Sequence, residues 1–199
     1  MKADRTLLDA ARTLDQDALV KIFDLYSSAL YTYALRLCGD PVTADHIVGD
    51  VFGRLLDQLS AGNGPRTNLR SYLYETTYHL IIDQARAFKR TVPLEAALWL
   101  RPDARSASLG LEDRLMFEVV LSAIQSDLTD DQRHVVILRY LEGFSLRETA
   151  GIMNITIAHV KVIQNRAIAK IRQALNYDEM KVTASGSKVR KFSKALSIR

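Results

Sequence analysis

The chain is expected to be all-α, two small helical domains joined by a flexible linker, and three observations predict this. Apolar residues recur at three- and four-residue spacing through most of its 199 residues. Glycine and proline, 9 and 4 in number, gather at a few interruptions instead of scattering. Two quartets, Thr129-Asp130-Asp131-Gln132 and Ser145-Leu146-Arg147-Glu148, have the spacing of helix capping boxes. The longest interruption, Thr91 to Gly110 with Pro93 and Pro102, separates a first block, 1–90, from a second, 112–175. Residues 91–111 then form the linker, within which Leu94 to Leu100 can make a short helix, and residues 176–199 form a basic tail.

In the first block, Leu19, Ile22, Phe23, Tyr26, Leu30, Tyr33, Ala34 and Leu37 give one apolar face to a helix from about Asp17 to Leu37. Asp40 caps the next helix. Pro41 fits its first turn, where a missing amide hydrogen has no intrahelical role, and Ile47, Val51, Phe52, Leu55, Leu56 and Leu59 supply its buried stripe. That helix stops near Gly62. Asn68 is placed to cap a third helix running through Leu69, Leu73, Leu80 and Ile81 to about Arg90. These helices are expected to close a three- to four-helix bundle.

The second block opens with an amphipathic helix, Leu111 to Ser126. The first capping box follows, with Val135, Val136, Leu138 and Tyr140 behind it. The second box opens a short helix ending at Met153-Asn154. Asparagine tolerates the left-handed conformation that a tight turn needs, and Thr156 can cap the helix beyond. Short helix, tight turn and longer helix make the layout of a helix-turn-helix. On the last helix, Ile157, Val160, Gln164, Ala167, Ile168, Ile171 and Leu175 fall on one side. Ala158, His159, Val162, Asn165, Arg166, Ala169 and Gln173 fall on the other.

Composition excludes several classes. No apolar run approaches the ~18 to 20 residues of a membrane span, and the start, MKADRTLLDAARTLD, has acids where a secretory signal needs an unbroken apolar stretch, so the chain is expected to be cytoplasmic. A lone cysteine, Cys38, excludes an internal disulfide and a multi-cysteine zinc site, and reads as a small buried side chain. The formal charge is +4. Residues 1–90 carry 11 bases and 11 acids and residues 91–175 carry 10 of each, so the surplus lies in the tail. The second block is nevertheless polarised. Residues 154–175 hold Lys161, Arg166, Lys170 and Arg172 with no acid, whereas residues 112–131 hold six acids and one arginine. Four cations on phosphates would make log K fall by about 3.6 per log unit of salt, so binding alone is expected to be weak and completed by a partner.

LTDDQRHVVILRYLEGFSLRETAGIMNITIAHVKVIQNRAIAKIRQAL resembles region four of the extracytoplasmic-function (ECF) group of bacterial sigma factors. ALVKIFDLYSSALYTYALRLCGDPVTADHIVGDVFGRLLDQL and NLRSYLYETTYHLIIDQARAFKR are similar to the two parts of region two. The resemblance covers roughly residues 17 to 175 and implies a promoter-specific transcription initiation factor. Its partners would be core RNA polymerase, through the coiled coil of the largest subunit and the flap, promoter DNA in double- and single-stranded form, and an anti-sigma factor. Asp45, Asp50 and Arg54 would dock on polymerase. Arg147, Ala158, His159, Lys161, Val162, Asn165, Arg166 and Lys170 would meet the minus-thirty-five element. Asn63, Arg66, Asn68, Arg70, Tyr74, Tyr78, His79, Arg86, Lys89 and Arg90 would hold and melt the minus-ten element, since unstacked bases need aromatic platforms and a basic groove. Tyr74, Tyr78 and His79 are expected to be more exposed than Tyr72. Tyr78-His79 and Lys161-Val162-Ile163 depart from the family's frequent Arg-Asn and Lys-Ser-Arg, so its consensus promoter is not carried over.

Two other classes compete with this one. The pairs His46 with Asp50 and His79 with Asp83 could each offer two metal ligands, but a catalytic site needs further converging ligands, and no enzyme, metal or cofactor is expected. The alternative is a stand-alone helix-turn-helix regulator whose first block senses a ligand or dimerises.

Overall fold

A computed structural model of the chain describes residues 2–88 and 120–183, with side chains over 6–86 and 120–174. Every regular element among these residues is helical. The expected linker, Lys89, Arg90 and the tail beyond 183 lie outside the described residues.

The first block opens with a helix ahead of the expected ones, α1 (Lys2–Ala11). Leu8 and Ala11 are its fully buried residues, and with it the block is a four-helix bundle, within the expected three to four. α2 (Gln16–Cys38) starts where the Asp15 carboxylate accepts the Ala18 N–H at 2.8 Å. It ends at Gly39, whose φ of 72° turns the chain out of the helix while its N–H donates to the Leu35 carbonyl. Cys38 is half-buried, its Sγ 2.7 Å from the Ala34 carbonyl, and burial pushes its thiol up to about 12. α3 (Pro41–Ser60) has the expected cap: Asp40 accepts the Thr43 N–H at 2.7 Å, and the Thr43 hydroxyl together with this N–H holds its carboxyl below the usual range. α4 (Leu69–Phe88) begins differently. Asn68 stands in the left-handed region at φ 53°, and its backbone carbonyl accepts the Tyr72 N–H at 3.1 Å. An ordinary capping residue is extended, so Asn68 serves the turn before the helix.

In the second block, residues 120–127 form α5. α6 (Asp130–Val136) opens with the Thr129 N–H donating to Gln132 Oε1 at 3.1 Å. It runs on as a π-turn, Ile137–Leu141, in which the Glu142 N–H donates five residues back to the Ile137 carbonyl. The extra residue lets Ile137 and Leu138 both reach the core and leaves Tyr140 half exposed. α7 (Leu146–Ile152) has the full capping box: Ser145 N–H to Glu148 Oε2 at 2.8 Å and Glu148 N–H to Ser145 Oγ at 3.2 Å. Asn154 makes the tight turn at φ 52°, and Thr156 Oγ1 accepts the His159 N–H. α8 (Ile157–Thr183) continues past residue 175, so the start of the basic tail is a helical extension of the domain.

The two blocks lie against each other. One core runs from Leu30, Leu55 and Leu73 of the first block to Val135, Leu138, Phe144, Ile152 and Val160 of the second. A smaller cluster, Leu121, Ile124, Leu128, Val136, Ala167 and Ile171, belongs to the second block alone. On the solvent side, Phe23 and Leu56 were expected in the core but are nearly half exposed. Phe23 packs its ring on Phe52 at 4.8 Å instead, because the two helices already fill their contact with smaller side chains such as Ala34, Ala44 and Val51.

Candidate nucleic-acid interface

α8 divides cleanly. Val160, Ile163, Ala167 and Ile171 are buried, while Ala158, His159, Lys161, Val162, Asn165 and Arg166 all face solvent, as does Arg147 on α7. Ile157 is 42% exposed: at the first position of the helix it lies beyond the packed layer, and Ile163 takes the inward place. Gln164 sits among apolar neighbours because its Oε1 accepts Arg139 Nε at 3.2 Å. Lys170 is partly committed, donating to the Asp127 carbonyl at 3.0 Å.

Along the first block, Asn63, Arg66, Asn68, His79 and Arg86 are exposed, Arg86 pairing with Asp83 at 3.7 Å. Asp45, Asp50 and Arg54 are exposed on α3. Tyr74 corrects the expectation. It is 1% exposed, more buried than Tyr72, because Arg70, Tyr74 and Tyr78 occupy the face of α4 that the second block covers.

That contact is polar as well as apolar. Tyr74 Oη donates to Glu142 Oε2 at 2.5 Å, and Glu142 pairs with Arg36 of α2 at 3.6 Å. Arg70 donates to the Glu142 carbonyl and lays its guanidinium 4.0 Å from the centre of the Phe144 ring, which meets Tyr74 edge-on at 4.8 Å. Arg139 holds the Phe144 carbonyl. Nearby, Tyr33 Oη and His134 Nδ1 share a buried hydrogen bond of 2.9 Å, and the Tyr78 ring lies against His134 at 4.7 Å. Burial pushes His134 down to about 3 and raises Tyr33 and Tyr74 well above the ordinary phenol range, so all three are neutral at pH 7.

Arg36, His134, Glu142 and Phe144 were not singled out in the sequence. The available signal was Phe144 itself, a large aromatic between two helices with an acid and a glycine before it. Among the described residues, no three metal-ligating side chains come together and no helix is long and apolar enough to cross a membrane.

Residues 22–91 match the family described as Sigma-70 region 2, and residues 126–173 match Sigma-70, region 4. The chain is 25% identical over 174 residues to the ECF RNA polymerase sigma factor BldN of Streptomyces coelicolor, covering 86% of this chain and 66% of that one. It is 27% identical over 170 residues to the ECF RNA polymerase sigma factor SigW of Bacillus subtilis, covering 81% and 90%. Among solved structures, the sigma factor RpoE of Bartonella quintana, in complex with the anti-sigma factor NepR, superposes with a TM-score of 0.65 at 23% identity, over 79% of this chain and 96% of that one. CnrH, in complex with the cytosolic domain of CnrY, gives 0.64 at 22% identity, over 88% and 99%. These two likenesses speak to the fold.

With the region-two and region-four matches in order along one chain, this protein belongs to the sigma-70 family, whose members are transcription initiation factors. Within that family it is an ECF sigma factor.

Proposed function

We propose that the chain joins core RNA polymerase, reads the minus-thirty-five element in the major groove with α8, and captures unpaired bases of the minus-ten element along α4 and the loop before it. The observation that carries this reading is the outward face of α8. Six potential contact residues stand together there behind a capped turn, on a segment with four cations and no acid. Val162 suits a thymine methyl, and Asn165 and Arg166 suit base edges or phosphates. On α3, the exposed Asp45, Asp50 and Arg54 support docking on polymerase. The functional units are 1–90 and 112–175, the work is binding and not catalysis, and it takes place in the cytoplasm. The likeness to a sigma factor solved with an anti-sigma factor supports a similar partner here.

Adding the protein to core polymerase should yield transcripts that start at its cognate promoters and nowhere else. Failure with folded protein on cognate DNA would sink the reading. Arg166→Ala should weaken binding to the upstream duplex by about 1 to 3 kcal/mol if it meets a base edge. If it meets a phosphate, the salt slope should fall by about 0.9. Polymerase binding should not change. Equal loss of both activities would mean that α8 has another role.

A further inference from the structure

We infer that the turn Glu142-Gly143-Phe144 occupies the single-strand site on α4 from within, offering a ring and a carboxylate where a nucleotide offers its base and phosphate. The inference rests on the reading of α4 given above.

The cradle is built from three side chains: Arg36 of α2, and Arg70 and Tyr74 of α4. Phe144 sits in it as a guest ring would, edge-on to Tyr74 at 4.8 Å and 4.0 Å from the Arg70 guanidinium. Aromatic and guanidinium surfaces around a flat ring are the means by which unstacked bases are held. The Glu142 carboxylate lies beside it, taking the Tyr74 hydroxyl at 2.5 Å and the Arg36 guanidinium at 3.6 Å. Guanidinium and hydroxyl donors are also what phosphate oxygens take. Gly143, at φ 73°, bends the chain so that both neighbours face the cradle.

Packing alone would not call for this arrangement. The side chains of Arg36 and Glu142 are each only 9% exposed, and a buried ion pair is often matched or bettered by apolar residues of the same volume. Further along the same face of α4, His134 covers Tyr78. The outward face of α8 stays open throughout, so the arrangement withholds the single-strand site and not the duplex site.

The minus-thirty-five and minus-ten elements are about 25 base pairs apart, roughly 85 Å of duplex. The blocks cannot serve both while Tyr33 and His134 remain 2.9 Å apart. The turn must leave the cradle when the blocks part on polymerase. Before that it competes with any strand at an effective concentration on the order of millimolar, and apparent affinity falls by the fraction of chains that are open.

The test uses the full chain and a short fluorescein-labelled single strand of mixed sequence, with energy transfer between dyes on α3 and α8 reporting the separation of the blocks. Glu142→Gln keeps the size but removes the anion, and it should open the blocks and tighten strand binding about tenfold. Phe144→Leu keeps the volume but removes the ring, and it should act in the same direction. Arg36→Gln breaks the same ion pair but also takes a donor from the strand, so it should open the blocks with a clearly smaller gain. The inference is overturned if the blocks open without tighter binding, if Arg36→Gln and Glu142→Gln gain equally, or if neither variant opens the blocks. Duplex binding through α8 and promoter-specific transcription are measured on the same wild-type protein. Their loss would count against the function itself, whereas their presence beside an unmoved strand affinity would remove only the plug.

Discussion

Phe144→Ala should cost about 3 to 5 kcal/mol of stability, the range for deleting a buried phenylalanine ring. Phe144 is 1% exposed and belongs to the core that spans both blocks. Its removal strips the ring from Tyr74 and Arg70 and leaves a void between α4 and the second block, bordered by a guanidinium that has lost its platform. In a domain of 150 to 250 residues each kcal/mol shifts Tm by about 2 to 4 °C, so a fall of roughly 6 to 20 °C is expected in thermal unfolding followed by circular dichroism. The transition should also split. The second block keeps its own cluster around Leu121, Leu128 and Ala167, and the first keeps the packing of α1 to α4, so each can melt at its own temperature once the shared core is broken. A single transition lowered by less than about 1 kcal/mol would show that the blocks do not depend on this ring.

Association of the blocks should weaken as the solution is acidified from about pH 6.5 towards pH 3. In the closed arrangement burial holds His134 at about 3, whereas the same ring in water titrates near 6.5. Between these values the open state binds a proton that the closed state refuses. The closed state is therefore fully held above about pH 6.5 and loses about 1.4 kcal/mol per pH unit below it, roughly 3 to 5 kcal/mol in all. Asp130 opposes the depression of His134 and Arg133 adds to it, and both lie on α6 with the histidine. From the first block Tyr33 and Tyr78 face the ring, and burial raises both phenols, so neither titrates in this window. Denaturation midpoints at about pH 7.5 and about pH 5 should differ by about 2 kcal/mol. His134→Gln should flatten most of that difference, and an unchanged slope would place the proton uptake elsewhere.

Much of the fold is legible because its signals are local. Asp40, Ser145 and Thr156 accept N–H groups three residues onward, and Asn154 turns where a left-handed residue is needed, so short windows of sequence contain the whole cause. The outward face of α8 follows from the same logic, since one helix decides which of its sides can pack. The contact between the blocks does not. Periodicity tells which face of α4 is apolar and aromatic but not what covers it, and the tyrosines and arginines that suit a single strand also suit Phe144 and Glu142. The sequence therefore points to a Tyr74 more exposed than Tyr72. The partners that bury it stand about 70 residues away along the chain, in a turn without periodicity. α1 carries a local signal too, with Leu7, Leu8 and Ala11 on one face, although the expected bundle begins only at about Asp17.

The continuity of α8 has a mechanical consequence. Its 27 residues form one rod of about 40 Å, with Ala158 to Arg166 near one end and Thr183 at the other. A rod transmits rotation. A tilt of about 10° moves one end by about 7 Å relative to the other, or roughly two base-pair steps along a duplex. Whatever takes hold near Thr183 thus acts on the DNA-reading end as a lever, and a small push at the back changes which bases stand opposite Asn165 and Arg166.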